Sequence, residues 1–397
     1  MKNKFLFLGI AAALFIACEA DDTSDIVITD NSVTNNTTNN SDGGGDEVTS
    51  VNLNGLYTQD LTLDPDIAYT VTGPVLMAEG TTLTIPAGMT IEVEPIGVNA
   101  YIAILQGAQI NANGTSANPI VFTSNSADPG PGDWGGLVLL GKAPINSTPD
   151  GSTDLATSEV GALSYGGNTP GDDSGVLRYV RIEYSGGAVD GNAELNGLSL
   201  YAVGNGTEID YVQIYEASDD GFEFFGGTVE ASHLIVVNSE DDSIDWTEGF
   251  TGALTDVYVQ HGGTINDKAF ECDGFNTDFS NEGGYFSNPT VTNVTVVGGP
   301  NNAGEAIRLR AGTQGTFTNV VVTDFEEAFD LDDSDTGQGV LDDLLNIVDV
   351  TFNNVTTTLK NDTGAVFNES DVISGVGNGT GTDVATWGAD WTVGINE

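Results

Sequence analysis

Between residues 217 and 333 apolar and charged positions alternate in a short phrase that is written five times. The copies are DDGFEFFGG (219–227), DDSIDWTEG (241–249), DKAFECDG (267–274), GEAIRLRAG (304–312) and EEAFDLDD (326–333). Aligned on their central residue they give the column Glu223, Asp245, Glu271, Arg308, Asp330. Apolar side chains flank it each time: Phe222/Phe224, Ile244/Trp246, Phe270/Cys272, Ile307/Leu309 and Phe329/Leu331. A period of two, apolar to one side and charged to the other, predicts half-buried strands. The copies recur at 22, 26, 37 and 22 residues, which predicts a solenoid of stacked coils.

A second strand class interleaves with the first: LRYVRIEYS (177–185), IDYVQIYEA (209–217), ASHLIVVNS (231–239), LTDVYVQHG (254–262), VTNVTVVGG (291–299) and FTNVVVTDF (317–325). LNGLSLYAVGN (195–205) belongs to the acidic class, with Ser199 in the charged column. Two strand classes per coil of about 23 residues suit a parallel β-helix, in which no coil buries its inner face alone. Upstream, LTIPAGMTI, GTSANPIVFTS and GDWGGLVLLGKAPIN (132–146) resemble the opening coils of right-handed parallel β-helix proteins of the pectin-lyase-like class. More narrowly, the chain resembles β-helix surface lipoproteins of Bacteroidetes. The fold class expected is all-β, a right-handed parallel β-helix over 51–397. The Gly/Asp/Ser-rich stretch 147–175 is expected to loop out of it, and Trp387 and Trp391 to cap the last coil against edge pairing.

The amino terminus changes the picture of where the protein works. Lys2 and Lys4 precede an apolar run, Phe5–Ala17, and then Cys18, a charged region and a short apolar region that mark an export signal. Leu14-Phe15-Ile16-Ala17-Cys18 resembles a bacterial lipobox, which implies that residues 1–17 are removed and Cys18 is lipidated. Glu19-Ala20-Asp21-Asp22 is similar to the acidic tag of surface-exported lipoproteins. Residues 18–50 are otherwise mostly Thr, Asn, Ser, Asp and Gly, a tether with almost nothing to bury and a reach of ~30 Å. Together these predict an outer-membrane lipoprotein facing the cell exterior.

Charge narrows the partners. Fifty-nine acidic residues oppose nine basic ones, a formal net charge of −50. Nucleic acid is excluded as a partner, because binding it requires Lys and Arg to replace counterions. So many carboxylates either keep an exported protein in solution or attract cations, Ca²⁺ above all. The two cysteines, Cys18 and Cys272, provide no disulfide framework.

Stacking places equivalent residues about 4.8 Å apart, so Glu223, Asp245 and Glu271 would repel one another. Arg308 is expected to pair with Glu271 and Asp330, and Arg310 to sit between Asp273 and Asp332. The end left uncompensated, Asp219, Asp220, Glu223, Asp241, Asp242 and Asp245, calls for a bound Ca²⁺ or for carboxyls with raised pKa values, and is the predicted Ca²⁺ site. A second, looser Ca²⁺ loop is expected at Asp330, Asp332, Asp333 and Asp335, although Asp335 stands where an EF-hand has Gly and Leu341 where it has Glu. The fold-class resemblance also implies enzyme readings. A polysaccharide lyase would use an Arg or Lys base beside Ca²⁺-neutralised uronate, from Lys268, Arg308 and Arg310. A polygalacturonase-like hydrolase would use three aspartates, offered by Asp219 and Asp241-Asp242, with His261 and Arg308/Arg310, and Asp220 is a further catalytic candidate. The leading functional expectation is non-catalytic: Ca²⁺-dependent capture of a polysaccharide or another cell-surface ligand.

Overall fold

The computed structural model describes residues 49–148, 155–190, 193–263, 265–299 and 304–395. The signal, Cys18 and nearly all of the tether lie outside them. Almost every strand joins one parallel sheet that winds around a single core. The acidic phrases become the strands Phe222–Phe225, Ile244–Thr247, Phe270–Asp273, Glu305–Arg310 and Glu327–Asp332, each paired in parallel with the next. Parallel strands linked by crossovers take the right-handed course, and the architecture is the right-handed parallel β-helix expected.

The second strand class is longer than one face. Glu208–Tyr215, Glu230–Val237, Ala253–Gln260 and Thr290–Val297 each bend at one residue, so every coil has three faces rather than two. The bend residues stack as a column with left-handed backbone: Tyr179, Tyr211, His233, Asp256, Asn293, Asn319 and Asp349, with φ from +48° to +62°. None is glycine. Left-handed backbone is costly for such residues, and the column offsets the cost with contacts from coil to coil. Tyr179 stacks on Tyr211 at 4.3 Å and Tyr211 on His233 at 4.0 Å. Asn293 donates to Asp256 at 3.1 Å, and Asn319 donates to Asn293 at 2.8 Å.

Inside, Phe222, Phe224, Ile244, Trp246, Phe270, Cys272, Ile307, Leu309, Phe329 and Leu331 are fully buried. This is the face the alternation assigned to the core. Trp246 lies 5.9 Å from Phe317 and donates its indole N–H to Thr313 at 3.1 Å, so its one polar atom is satisfied.

Two segments go where periodicity gave no direction. The 147–175 stretch does leave the coil, but its described part folds back. Its hairpin, Ala156–Thr157 with Ser164–Tyr165, packs on the outer side of the first face, the one built from the acidic strands, where Tyr165 meets Tyr201. At Gly175, φ +108, a side chain would run into the Ile110 carbonyl oxygen, so the return to the coil needs glycine.

The carboxy-terminal tail is not the end cap expected. It runs back along the flank of the helix, over the bend column. Asn319 accepts from the Thr380 and Gly381 amides, Trp387 lies 5.0 Å from His233, and Trp391 lies 5.6 Å from Tyr179. The reason is apolar: Ile235, Val237 and Tyr258 face outward on the third face, and the tail covers them. At the end of the helix itself, Phe367, Val372 and Ile373 pack against the core.

Among the described residues no helix is long and apolar enough to cross a membrane.

Candidate functional site

The charged column exists in register. Ser199 pairs with Glu223, Glu223 with Asp245, Asp245 with Glu271, Glu271 with Arg308, Arg308 with Asp330, and Asp330 with Lys360. All seven point away from the core, as alternation requires. Beside them a parallel row, from the turns entering the strands or the first strand residue, includes Asp220, Asp242, Lys268, Glu305 and Glu327.

At the amino-terminal end these rows enclose a pocket of about 240 Å³. It is lined by Glu159, Glu194, Asp219, Asp220, Glu223, Asp241, Asp242, Asp245 and Glu271. Every lining residue is a carboxylate. All six predicted Ca²⁺ ligands are brought together there. Glu159 comes from the hairpin of the excursion and Glu194 from the short strand Ala193–Glu194, and neither was visible as part of a repeat.

Burial and mutual repulsion hold Glu159, Asp219, Asp220, Glu223, Asp241, Asp242 and Asp245 toward their neutral forms. Asp219 is pushed up to about 8, by burial first and then by Glu194 and Asp241. Glu223 and Asp245 are raised by burial, then by Asp245 and Glu271 respectively. Both keep some surface open to the pocket. Asp220 and Asp242 are raised by burial and by their acidic neighbours. Each also supports the coil: Asp220 accepts from the Asp242 amide at 3.0 Å, and Asp242 accepts from the Lys268 amide at 2.7 Å. Asn196 donates to Glu223 at 2.6 Å.

The donor chemistry fits a hard cation. One carboxylate oxygen each from Asp220, Glu223 and Asp245 lie within 4.8 Å of one another, and the same holds for Asp219, Asp220 and Asp241. Oxygens on opposite sides of a Ca²⁺ ion lie about 4.6–5.2 Å apart, given Ca–O distances near 2.3–2.6 Å.

The carboxy-terminal end of the column is met by cations, with the expected Arg310–Asp273 pair present and the other partners changed. Arg308 turns to Asp332 at 2.7 Å and stays 4.0 Å from Glu271, while Arg310 bonds both Asp273, at 2.6 Å, and Glu271. Asp330 takes its cation from Lys360 at 2.7 Å. Buried Lys268 lies 2.6 Å from Asp267, 3.1 Å from Glu271 and 3.6 Å from Asp242. Burial lowers the Lys268 pKa, but these carboxylates outweigh it and the ammonium is held charged. Arg308 pairs diagonally, past the opposite Asp330, and Arg310 holds both the opposite Asp273 and the diagonal Glu271, because the long planar fork reaches beyond the residue across the strand.

Asp330, Asp332, Asp333 and Asp335 do not gather into a loop around one point. Asp330 lies in a strand beside Lys360, Asp332 binds Arg308, and Asp333 caps the helix Ser334–Leu341 by accepting from the Asp335 and Thr336 amides. His261 is buried 3.1 Å from the Ser243 hydroxyl, away from the pocket lining, and burial lowers it to about 4. Trp391 is fully buried and offers no stacking platform to a sugar.

These features define a parallel β-helix with a carboxylate-lined pocket on its first face. The chain belongs to the pectate-lyase-like beta-helix domain family, whose model matches residues 55–392. No curated protein matches the sequence. Among solved structures, the catalytic unit of a GH87 α-1,3-glucanase from Streptomyces thermodiastaticus is similar at 10% identity and TM-score 0.34. The alignment covers 81% of this chain and 65% of that one, so the chain spans less than two thirds of that unit. The A-module of a mannuronan C-5 epimerase from Azotobacter vinelandii is similar at 11% identity and TM-score 0.23, covering 84% of this chain and 90% of that one. The enzymatically active domain of a bacteriophage CBA120 tailspike is similar at 10% identity and TM-score 0.23, over 74% and 38%. Values this low carry no residue correspondence and no activity.

Proposed function

We propose that this chain is the β-helical body of a surface lipoprotein, anchored through Cys18 to the outer membrane, that captures an extracellular glycan with a divalent cation, Ca²⁺, in its acidic pocket. The observation that carries this reading is the lining: nine carboxylates and no Lys or Arg. A bound cation relieves the repulsion and leaves coordination positions open to sugar hydroxyls or uronate groups. The ion-paired end favours a binding role over catalysis. A lyase base must shed its proton, whereas Arg310 is fixed to two carboxylates that outweigh burial and raise its pKa.

The test is glycan-array binding by the purified protein in Ca²⁺ and in chelator, with parallel incubation on uronate polymers. Binding that needs Ca²⁺, without unsaturated uronate products, is the expected result. Release of unsaturated products would establish the lyase alternative, new reducing ends the glycosidase alternative, and Ca²⁺-independent binding would remove the cation from the mechanism.

A further inference from the structure

The Lys268/Arg308 level divides the charged rows into two acidic stretches, and the second holds an unsatisfied atom. Glu305 and Glu327 are in register on neighbouring coils, and Asp330 lies on the Glu327 strand opposite Arg308. One carboxylate oxygen from each of Glu305, Glu327 and Asp330 lie within 4.8 Å of one another. Glu305 comes from one phrase and Glu327 and Asp330 from the next, and sequence spacing did not group them.

The Asp330 side chain is 2% exposed. Its Oδ2 takes Lys360 at 2.7 Å, but its Oδ1 is buried with no hydrogen-bond donor. That carboxylate lies within hydrogen-bonding reach of the Glu305 carboxylate, another acceptor. Arg308 cannot fill the gap, because its fork is committed to Asp332 at 2.7 Å and stands 3.8 Å from Glu305. Lys360 reaches Glu327 only at 3.5 Å. A buried carboxylate oxygen without a partner is costly, and between acceptors only a proton or a metal ion can serve.

We infer that Glu305, Glu327 and Asp330 Oδ1 form a second divalent-cation site, separate from the acidic pocket. The donors are all hard oxygens, which selects Ca²⁺, Mg²⁺ or Mn²⁺ over thiophilic metals. Glu305 and Glu327 are 20% and 25% exposed, so the outer side of the ion is open to water. Three carboxylates beside a lysine make a site in the weak range of extracellular modules, Kd about 0.1–1 mM. The inference does not depend on the pocket reading.

The experiment is Mn²⁺ titration of the chelator-treated protein, followed by paramagnetic broadening of amide signals. Broadening around 305–308 and 327–330 is expected in the wild type and in Asp245→Asn, which alters only the pocket. Glu327→Gln, and as a second partly exposed variant Glu305→Gln, should each weaken that broadening about tenfold through lost ligand charge. No broadening at those residues, or broadening unchanged in both variants, would overturn the site and leave a proton shared by Glu305 and Asp330. Broadening confined to residues 219–245 would support the pocket and reject this site. The reverse pattern would do the opposite, so the two readings fail separately.

Discussion

The two ends of the charged column share a backbone, a register and a direction, yet differ in whether cations meet their acids. From Glu223 to Asp245 the acids meet other acids, and burial with repulsion drives them toward protonation. From Glu271 to Lys360 the same geometry is stitched by Lys268, Arg308, Arg310 and Lys360. Asp273, held by Arg310 against the opposing effect of burial, rises only to about 6, whereas Asp219 rises to about 8. The stack is therefore not what makes a pocket of like charge. Any coil tolerates a charged column when cations interleave, and where none interleaves, as from Glu223 to Asp245, the acids are driven toward their neutral forms.

Cutting a stitch should have the largest effect. Lys268→Met leaves Glu271 and Asp242 buried without their ammonium, and removing one partner of a buried pair costs about 3–5 kcal/mol. Urea unfolding followed by tryptophan fluorescence should show that loss. A change under 1 kcal/mol would mean the ion-paired end contributes no more than a surface pair.

Titration separates the ends next. A buried acid whose folded pKa is raised keeps its full contribution below the unfolded value near 3.9 and loses it as pH rises through the folded value. With Asp219 at about 8, the melting temperature in chelator should fall steadily between about pH 4 and 8. Asp245→Asn should raise it at pH 8 and leave it unchanged at pH 4. Ca²⁺ should flatten the slope, since it binds the ionised acids. At ten times Kd it stabilises by about 1.4 kcal/mol. A slope that is the same with and without Ca²⁺ would sink the comparison at its acidic end.

The smallest effect is expected away from both ends. Lys142 meets Glu79 at 3.2 Å with side chains 36% and 79% exposed. Lys142→Ala should change stability by under about 0.5 kcal/mol, and a larger loss would show that exposed pairs also hold the coils.

Much of this could be read in the chain. Phe222/Phe224 around Glu223 and Ile244/Trp246 around Asp245 gave the core face, the outward column and its register, because alternation and stacking are local and nearest-neighbour rules. The six pocket acids were found for the same reason. Glu159 was not, since its place depends on where an irregular excursion folds, and no period encodes that. Lys360 was missed because TTLKND lacks the acidic phrase, although it is the next strand in the ladder.

What the sequence alone determined is thus the coil: strands, stacking, and a column of charge whose amino-terminal end lacks cations. Tertiary structure decided the rest. It bent one strand class into two faces at a left-handed residue, and it laid the tail along the flank over Ile235 and Tyr258. It also let Arg308 and Arg310 choose diagonal partners and brought Glu159 and Glu194 to close the pocket. The division follows from range. Periodicity dictates what a residue does against its neighbours one coil away, while loops, tails and long flexible cations settle only against surfaces that exist once the helix is wound.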